Sequence, residues 1–441
     1  MSQNSEVAII GAGLAGCEAA LVLARAGIPV KIYEARPIWR SPAHKTDLPA
    51  ELVCSNSFKS IKLPSAHALL KEELRLLQSP LLGIAQQTSI PAGSALAVDR
   101  EVFSSTVNNR LSDDKLISVV HEEVCSPPLK KPFCIIAAGP LASPNLVQWL
   151  TSSFLTSSLH FYDAIAPIVS ADSIDYNIAF FASRWEEGSG DYLNCPFDEQ
   201  EYKLFYEELK KADQVNARSF ENQKFFEACL PVEVAAQRGY KALAFGPLRP
   251  VGIINPHTGK RPFAVCQLRK ENINSDSFNL VGFQTRLTFP EQKRVFRLIP
   301  GLKNAQFLRF GSIHRNTYMQ SPQLLTSDLS FKDLPNLFLA GQICGNEGYT
   351  ESIATGHYAA LSIASRIKGK KISPPSPETA IGALIKHITV SDNDKFTPTN
   401  IHSGLFPPLE NNGKRKIGKA EKKELICSRA IESLKRWKTD L

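Results

Sequence analysis

Val7-Ala8-Ile9-Ile10-Gly11-Ala12-Gly13-Leu14-Ala15-Gly16 is the stretch that decides the fold. Four apolar residues running into a glycine read as a buried strand. The alanine- and leucine-rich residues that follow, up to Gly27, read as a helix, and Val30 to Tyr33 form a second strand ending at Glu34. A lone Gly-x-Gly-x-x-Gly is a weak signal. Between a strand and a helix, with an acidic strand end about twenty residues on, it is the full dinucleotide fingerprint. Gly11 permits the tight turn, Gly13 lets the backbone approach a pyrophosphate, and Gly16 allows the helix to pack closely on the strand. Ala12, Leu14 and Ala15 complete the loop and open the helix, whose N-terminus is positive. Glu34 is the candidate acceptor for ribose hydroxyls.

A second unit of the same kind comes late: Leu339-Ala340-Gly341-Gln342-Ile343-Cys344-Gly345-Asn346-Glu347-Gly348-Tyr349 reads as strand, glycine loop and helix start. It resembles the second FAD contact of two-dinucleotide-fold flavoproteins, which implies FAD rather than NAD and adds Gly341, Gln342, Glu347 and Gly348 to the cofactor-binding candidates. A third strand signal, Phe133 to Ala138, ends at Gly139-Pro140.

Strand signals of one nucleotide domain thus fall early, in the middle and late, so the domain is assembled from separated segments. The expected fold class is α/β: a two-dinucleotide-binding-type, Rossmann-like FAD domain with an inserted α+β substrate domain. Its first part is assigned to residues 1–182 and the insert to 183–320, which holds a charged helical run (Glu199 to Ala212) and short strands. The second part takes 321–441, with C-terminal helices and a basic tail after a Lys- and Pro-rich linker (Lys368 to Glu378).

At 441 residues and 43% hydrophobic, the chain can bury more than one core. No apolar run reaches membrane-spanning length, and the N-terminus runs straight into the first strand without a leader pattern. Nine scattered cysteines lack metal-type pairing and do not form a disulfide framework, which fits a reducing cytoplasm and no metal site. The net charge of +8 tilts toward a polyanionic partner. Arg238, Lys241, Arg249, Lys260, Arg261, Arg269, Lys293, Arg294 and Arg297 make the insert basic in a way suited to phosphate contacts.

Two cysteines stand in stretches that ordinary packing does not explain. Cys54 centres the polar, turn-like Ala50 to Lys59, and Cys229 precedes Pro231 at the expected start of a helix. Together with the N-terminal unit, the strings PAHKTDLPAELVCSNSFKS (42–60), FFEACLPVEVAAQRGYKALAFGPLRPVG (225–252), EQKRVFRLIPGL (291–302) and AGQICGNEGYTESIATG (340–356) resemble the folate- and FAD-dependent tRNA uracil-5-methyltransferases, the TrmFO family. The likeness runs in order through almost the whole chain, with local departures at Lys45 and Asn346. It implies methylation of carbon 5 of the T-loop uridine at tRNA position 54. The implied donor is 5,10-methylenetetrahydrofolate, with FAD reduced by NADH or NADPH and no obligate protein partner or membrane attachment.

Uracil carbon 5 becomes nucleophilic only after a thiolate adds to carbon 6. By motif, the family's two cysteines fall at Cys54 and Cys229. Cys229 is taken as the adding thiolate and Cys54 as the group that removes the carbon 5 proton, an assignment that could be reversed. Tyr349 and His314 are candidates to stack folate or base. The alternatives are a wobble-uridine-modifying flavoprotein, whose members are much longer, or an FAD-containing tRNA-binding protein without catalysis.

Overall fold

The computed structural model describes residues 6–155, 159–184, 190–215, 230–390, 396–409 and 418–441. Val7–Ile10 is buried along its whole length, as a strand covered on both faces must be. It is central in a five-stranded parallel sheet ordered Leu337–Leu339, Cys134–Ile136, Val7–Ile10, Val30–Glu34, Ile117–His121. The three signals the sequence scatters are therefore neighbours. Ile10 aligns with Ile136, and Ile136 with Leu339, so the glycine turns that follow these strands share one sheet edge. Ligands of open α/β sheets bind at that carboxyl edge.

The helix Leu14–Arg25 crosses the helix Tyr349–Ile367 at van der Waals range. A Cβ on Gly356 would lie 2.2 Å from the Ala15 carbonyl oxygen, so only glycine allows the approach. A buried pair, His357 Nδ1 and Glu18 Oε1 at 2.7 Å, spans the same contact, and the other Glu18 oxygen accepts from the Leu81 amide.

The inserted unit is built on a six-stranded antiparallel sheet ordered Phe180–Ala182, Tyr192–Phe197, Ala264–Lys270, Ser277–Leu280, Ile168–Ser170, Phe307–Arg309. It has its own aromatic core around Phe197, Tyr202, Phe205, Phe278, Phe283 and Phe296. Two of its strands precede residue 183, where the sequence reading starts the insert. Each has three residues, too few to display alternation, whereas the first element the reading recognises within the insert is a charged helix. That helix, Glu199–Lys211, carries a full capping box between Asp198 and Glu201. The chain passes between the two sheets along an antiparallel ribbon, Leu159–Ile165 outward and Ser312–Tyr318 back, with His314 opposite Asp163.

The C-terminal helices complete the first core. After the proline-rich linker, Ala380–Val390 begins with its first two amides donating to the buried Glu73 carboxylate, at 2.6 and 2.9 Å. The basic helix Lys419–Thr439 buries Ile426, Cys427, Ala430 and Leu434 and is pinned by the Trp437 indole on the Ser373 carbonyl. Glu73→Ala leaves two buried amide donors without an acceptor and removes a helix cap. It is expected to lower stability by about 2 kcal/mol in urea unfolding, and an unchanged midpoint would refute this account of how the C-terminal helices dock.

Candidate active site: two cavities meeting at the Cys54 loop

At the carboxyl edge of the parallel sheet lies an open cleft of about 1030 Å³, walled by Gly11, Gly13, Leu14, Ala15, Glu34, Gly139, Gly341 and Gln342 among others. Its floor is backbone. Gly11 has φ +101°, and a Cβ there would lie 2.7 Å from the Ala137 oxygen. One on Gly16 would come within 2.0 Å of the Gly11 oxygen. The turn at Gly11 and the helix packing at Gly16 are thus required by the geometry, whereas a Cβ on Gly13 would meet only the Ala137 oxygen at 3.9 Å.

Glu34 is more occupied than its sequence role suggests. One oxygen accepts from the Ala12 amide (2.9 Å) and the other from the Arg36 amide and guanidinium (3.1 and 2.6 Å). Burial opposes its charge, but Arg36 and the two amides outweigh that and hold the carboxyl below the ordinary range. The carboxylate therefore faces the cleft ionised and already oriented.

Beside this cleft is a second cavity of about 1140 Å³. The two share Val53, Pro140, Leu141, Gln342 and Tyr349 as common wall. Cys54 is half-buried and lines the second cavity, as do His314, Glu347 and Gly348. Glu347 and Gly348, grouped by sequence with the cofactor loop, thus sit on the far side of the common wall from Gly341.

The loop bearing Cys54 is held from every side. Tyr349 Oη accepts from the amides of Cys54 (3.0 Å) and Ser55 (3.1 Å) and donates to the Ser55 carbonyl (2.9 Å). Arg100 donates to the carbonyls of Leu52 (2.6 Å) and Cys54 (3.3 Å), and Arg309 to that of Val53 (2.9 Å). Asn56 reaches the insert, donating to the Lys270 carbonyl (2.9 Å) and accepting from Arg269 Nε (2.8 Å). Tyr349, expected as a stacking surface, thus acts on the loop through its hydroxyl while its ring rests against Phe58 at 5.5 Å. Burial, with Cys54 adding, pushes its phenol above the ordinary range, so it remains a donor.

His314 keeps its place in the cavity wall, its Nε2 2.9 Å from Ser312 Oγ. Burial, then Arg309 and His44, push it down to about 4, leaving a neutral ring at physiological pH. Glu347 is buried, and burial followed by the charge of Asp163 pushes its carboxyl up to about 8. Its Oε1 accepts from Gln342 Nε2 at 2.7 Å. Asn346, the local departure, is buried within its own loop, with its amide placed to donate to Gly341 O (2.6 Å) and accept from Ser352 N (3.2 Å).

Cys229 lies outside the described residues. The chain resumes at Leu230, and the Val232 amide donates to the carbonyl of Gln284, a residue of the second cavity. Val232–Gln237 is helical with Pro231 as its N-cap residue. Of the basic residues expected to meet phosphate, Arg269 bonds to Asn56, Arg294 to Glu291 and Glu208, and Arg297 to the Ala305 carbonyl, and Lys293 lies over the Phe310 ring. Lys241, Arg249, Lys260, Arg261 and Lys293 are exposed. Sequence reasoning missed Asn56, Arg100, Arg309 and Asp163; Asn56 stands inside a quoted string, but nothing local marks its partners or those of the other three.

Residues 6–371 match the family model described as glucose inhibited division protein A. The chain is 50% identical over 441 residues to the methylenetetrahydrofolate–tRNA-(uracil-5-)-methyltransferase TrmFO of Syntrophus aciditrophicus, covering 100% of this chain and 99% of that one. The protein of the same name from Lawsonia intracellularis is 50% identical over 439 residues, covering 98% and 97%. In fold, the chain is similar to Aquifex aeolicus GidA in its form I crystal, with a TM-score of 0.68 at 16% identity, over 98% of this chain and 76% of that one.

Tyr349→Phe leaves two loop amides without an acceptor while keeping the ring. Expected outcomes are a loss of about 1–3 kcal/mol and faster alkylation of Cys54 by iodoacetamide, followed by mass spectrometry of the Cys54 peptide. Unchanged labelling and stability would show that the loop holds its shape without the hydroxyl.

Proposed function

The chain belongs to the TrmFO family of methylenetetrahydrofolate–tRNA-(uracil-5-)-methyltransferases, and we infer that its function is the family's: transfer of one carbon from methylenetetrahydrofolate to carbon 5 of a uridine in tRNA. The observation that carries the reading at the level of residues is Cys54 in the wall of a cavity that shares a wall with a dinucleotide cleft.

The first cleft suits FAD. Its glycine floor leaves the space a Cβ would fill, the helix Leu14–Arg25 points its N-terminus inward, and Glu34 is ionised at the edge. Gly11, Ala12, Gly13, Leu14, Ala15, Gly16, Glu34, Gly341 and Gln342 would hold it, with Gly348 at the far end of the late loop. FAD when bound supplies the reducing equivalents, drawn from NADH or NADPH, and carries the one-carbon unit. Without a second complete fingerprint in the sequence, the nicotinamide docks transiently.

The second cavity takes the folate and the uridine. Neutral His314 offers a flat, uncharged face for the pterin or the base. The target is the T-loop uridine at position 54, which must leave its stack to reach a recessed thiol. Cys229 adds to carbon 6, and Cys54, its backbone fixed by Tyr349, Arg100 and Arg309, takes the carbon 5 proton. Lys241, Arg249, Lys260, Arg261 and Lys293 supply exposed positive charge for the tRNA backbone. No described helix is long and apolar enough to cross a membrane, and a tRNA- and folate-using enzyme belongs in the cytoplasm, with no obligate protein partner required.

A T-loop hairpin carrying 5-fluorouracil tests the cysteine roles, because fluorine blocks loss of the carbon 5 substituent and traps the thioether. The wild-type holoenzyme is expected to form a covalent complex on denaturing gels, Cys229→Ala none, and Cys54→Ala to retain it. Retention by Cys229→Ala with loss in Cys54→Ala would reverse the two roles. No complex in the wild type would overturn thiolate addition altogether.

A further inference from the structure

We propose that Glu347 is a further catalytic residue of this site, the acid that protonates the folate nitrogen from which the methylene carbon departs; the inference rests on the methyltransferase reading above. Several buried or half-buried glutamates elsewhere in the chain have both oxygens engaged. Glu34 meets Arg36 and Ala12, Glu51 meets Lys45, Thr46 and Arg36, Glu73 caps Ala380 and Ile381, and Glu18 meets His357 and Leu81. Glu347 differs. Its Oε1 accepts from Gln342, but its Oε2 is buried without a hydrogen-bond partner, although the side chain lines the cavity that also holds Cys54 and His314. Among the described residues no ion pair closes on it.

An orphaned buried carboxylate oxygen costs free energy unless a ligand or a proton answers it. The backbone is built to hold it there: the Glu347 amide donates to the Thr399 carbonyl at 2.9 Å, and Asn400 Nδ2 donates to the Glu347 carbonyl at 2.6 Å. The groups that face it are Asp163 from the interdomain ribbon, Lys59 from the strand Ser57–Ser60, and Glu351 from the following helix. Burial, Asp163 and Glu351 favour the protonated form. Gln342 and Lys59 oppose them, and the balance leaves the proton on at neutral pH.

The reaction needs such an acid. In methylenetetrahydrofolate the one carbon bridges two nitrogens, N5 and N10, and one carbon–nitrogen bond must break before the carbon can be passed on. As the bond to N10 breaks, its electron pair stays on N10, which takes the Glu347 proton. The carbon remains on N5 as an electrophilic iminium. Glu347 becomes a carboxylate that offsets the new positive charge, and nothing is oxidised or reduced. The carboxylate regains a proton from solvent before the next turnover. Cys54 and Cys229 do not substitute for this role, since their proposed tasks lie on the uracil.

The test uses the FAD-loaded enzyme, methylenetetrahydrofolate and a T-loop tRNA transcript in single-turnover methylation from pH 6 to 9.5, with Glu347→Gln beside the wild type. The wild-type rate is expected to be full below about pH 8 and to fall above it. Glu347→Gln should lose about 100-fold or more in rate, show no such fall in what remains, and bind tetrahydrofolate as tightly as the wild type. Equal rates in the two proteins, or a loss matched by an equal rise in the tetrahydrofolate dissociation constant, would overturn the acid role. If Glu347→Gln does not fold, Glu347→Asp decides: a slowed rate that keeps the alkaline fall supports the proposal, and an unchanged rate sinks it. Fluorouracil-hairpin trapping by Glu347→Gln separates the two readings. A wild type that neither traps nor methylates refutes the methyltransferase assignment, whereas a variant that traps but does not methylate isolates the fault in release of the one carbon.

Discussion

The backbone from Leu52 to Asn56 is the constraint on which the site depends. Five residues with almost no regular structure present a reactive thiol, and their shape comes from elsewhere in the chain. Tyr349 belongs to the late dinucleotide helix, Arg100 to the helix Arg100–Ser112, and Arg269, Lys270 and Arg309 to the inserted sheet. A loop of this kind cannot hold one conformation by itself, because each ordered residue costs about 1–2 kcal/mol in backbone entropy. Charge-assisted bonds from guanidinium to carbonyl are among the stronger means of offsetting that cost. The thiol is in place only when the nucleotide domain and the insert are both folded and docked.

The same arrangement explains why there are two cavities rather than one. The parallel sheet offers a cofactor cleft at its carboxyl edge but no lid. The insert, brought back by the ribbon Ser312–Tyr318, supplies the opposite wall through Asn279, Gln284 and His314, and the Cys54 loop fills the corner between them. Gln342 and Tyr349, at the common wall, are therefore the residues through which a ligand in one space is felt in the other. Gln342 does this by its bond to Glu347, and Tyr349 by its bonds to the Cys54 loop.

What was legible in the sequence was what is local. The Gly11 to Gly16 loop could be read because glycines at fixed spacing meet requirements set within a few residues, a positive φ at Gly11 and a tight helix contact at Gly16. The late loop at Gly341 was legible for the same reason. The start of the insert was not, because Ile168–Ser170 and Phe180–Ala182 are too short to carry a period. Tyr349 was found but read as a stacking ring, since a sequence shows an aromatic without showing that its hydroxyl meets amides 294 and 295 positions away. Arg100 and Arg309 were invisible for the converse reason: nothing about an isolated arginine announces that its partners are the carbonyls of a cysteine loop. Glu347 was placed on the late loop, but which of the two cavities it lines was not legible, because direction along a glycine-rich turn depends on the φ values of Gly345 and Gly348, both positive.

Separation of charge states within one small volume is the last step. Glu34 is held ionised by a guanidinium, His314 neutral by burial and two nearby cationic or imidazole groups, and Glu347 protonated by burial beside other carboxylates. Glu347 departs from the ordinary state of a carboxyl at neutral pH, while Glu34 and His314 are held firmly in theirs. An anion at the edge of the cleft orients hydroxyl donors, an uncharged ring stacks without drawing water into the cavity, and a carboxylic acid keeps a proton to give. Glu34 takes its state from Arg36 and the Ala12 amide within the nucleotide domain, whereas His314 and Glu347 take theirs from burial and from neighbours that include Arg309 of the inserted sheet and Asp163 of the ribbon. Arg309, which bonds the Cys54 loop and also helps to keep His314 neutral, thus links the position of the thiol to the protonation of the cavity.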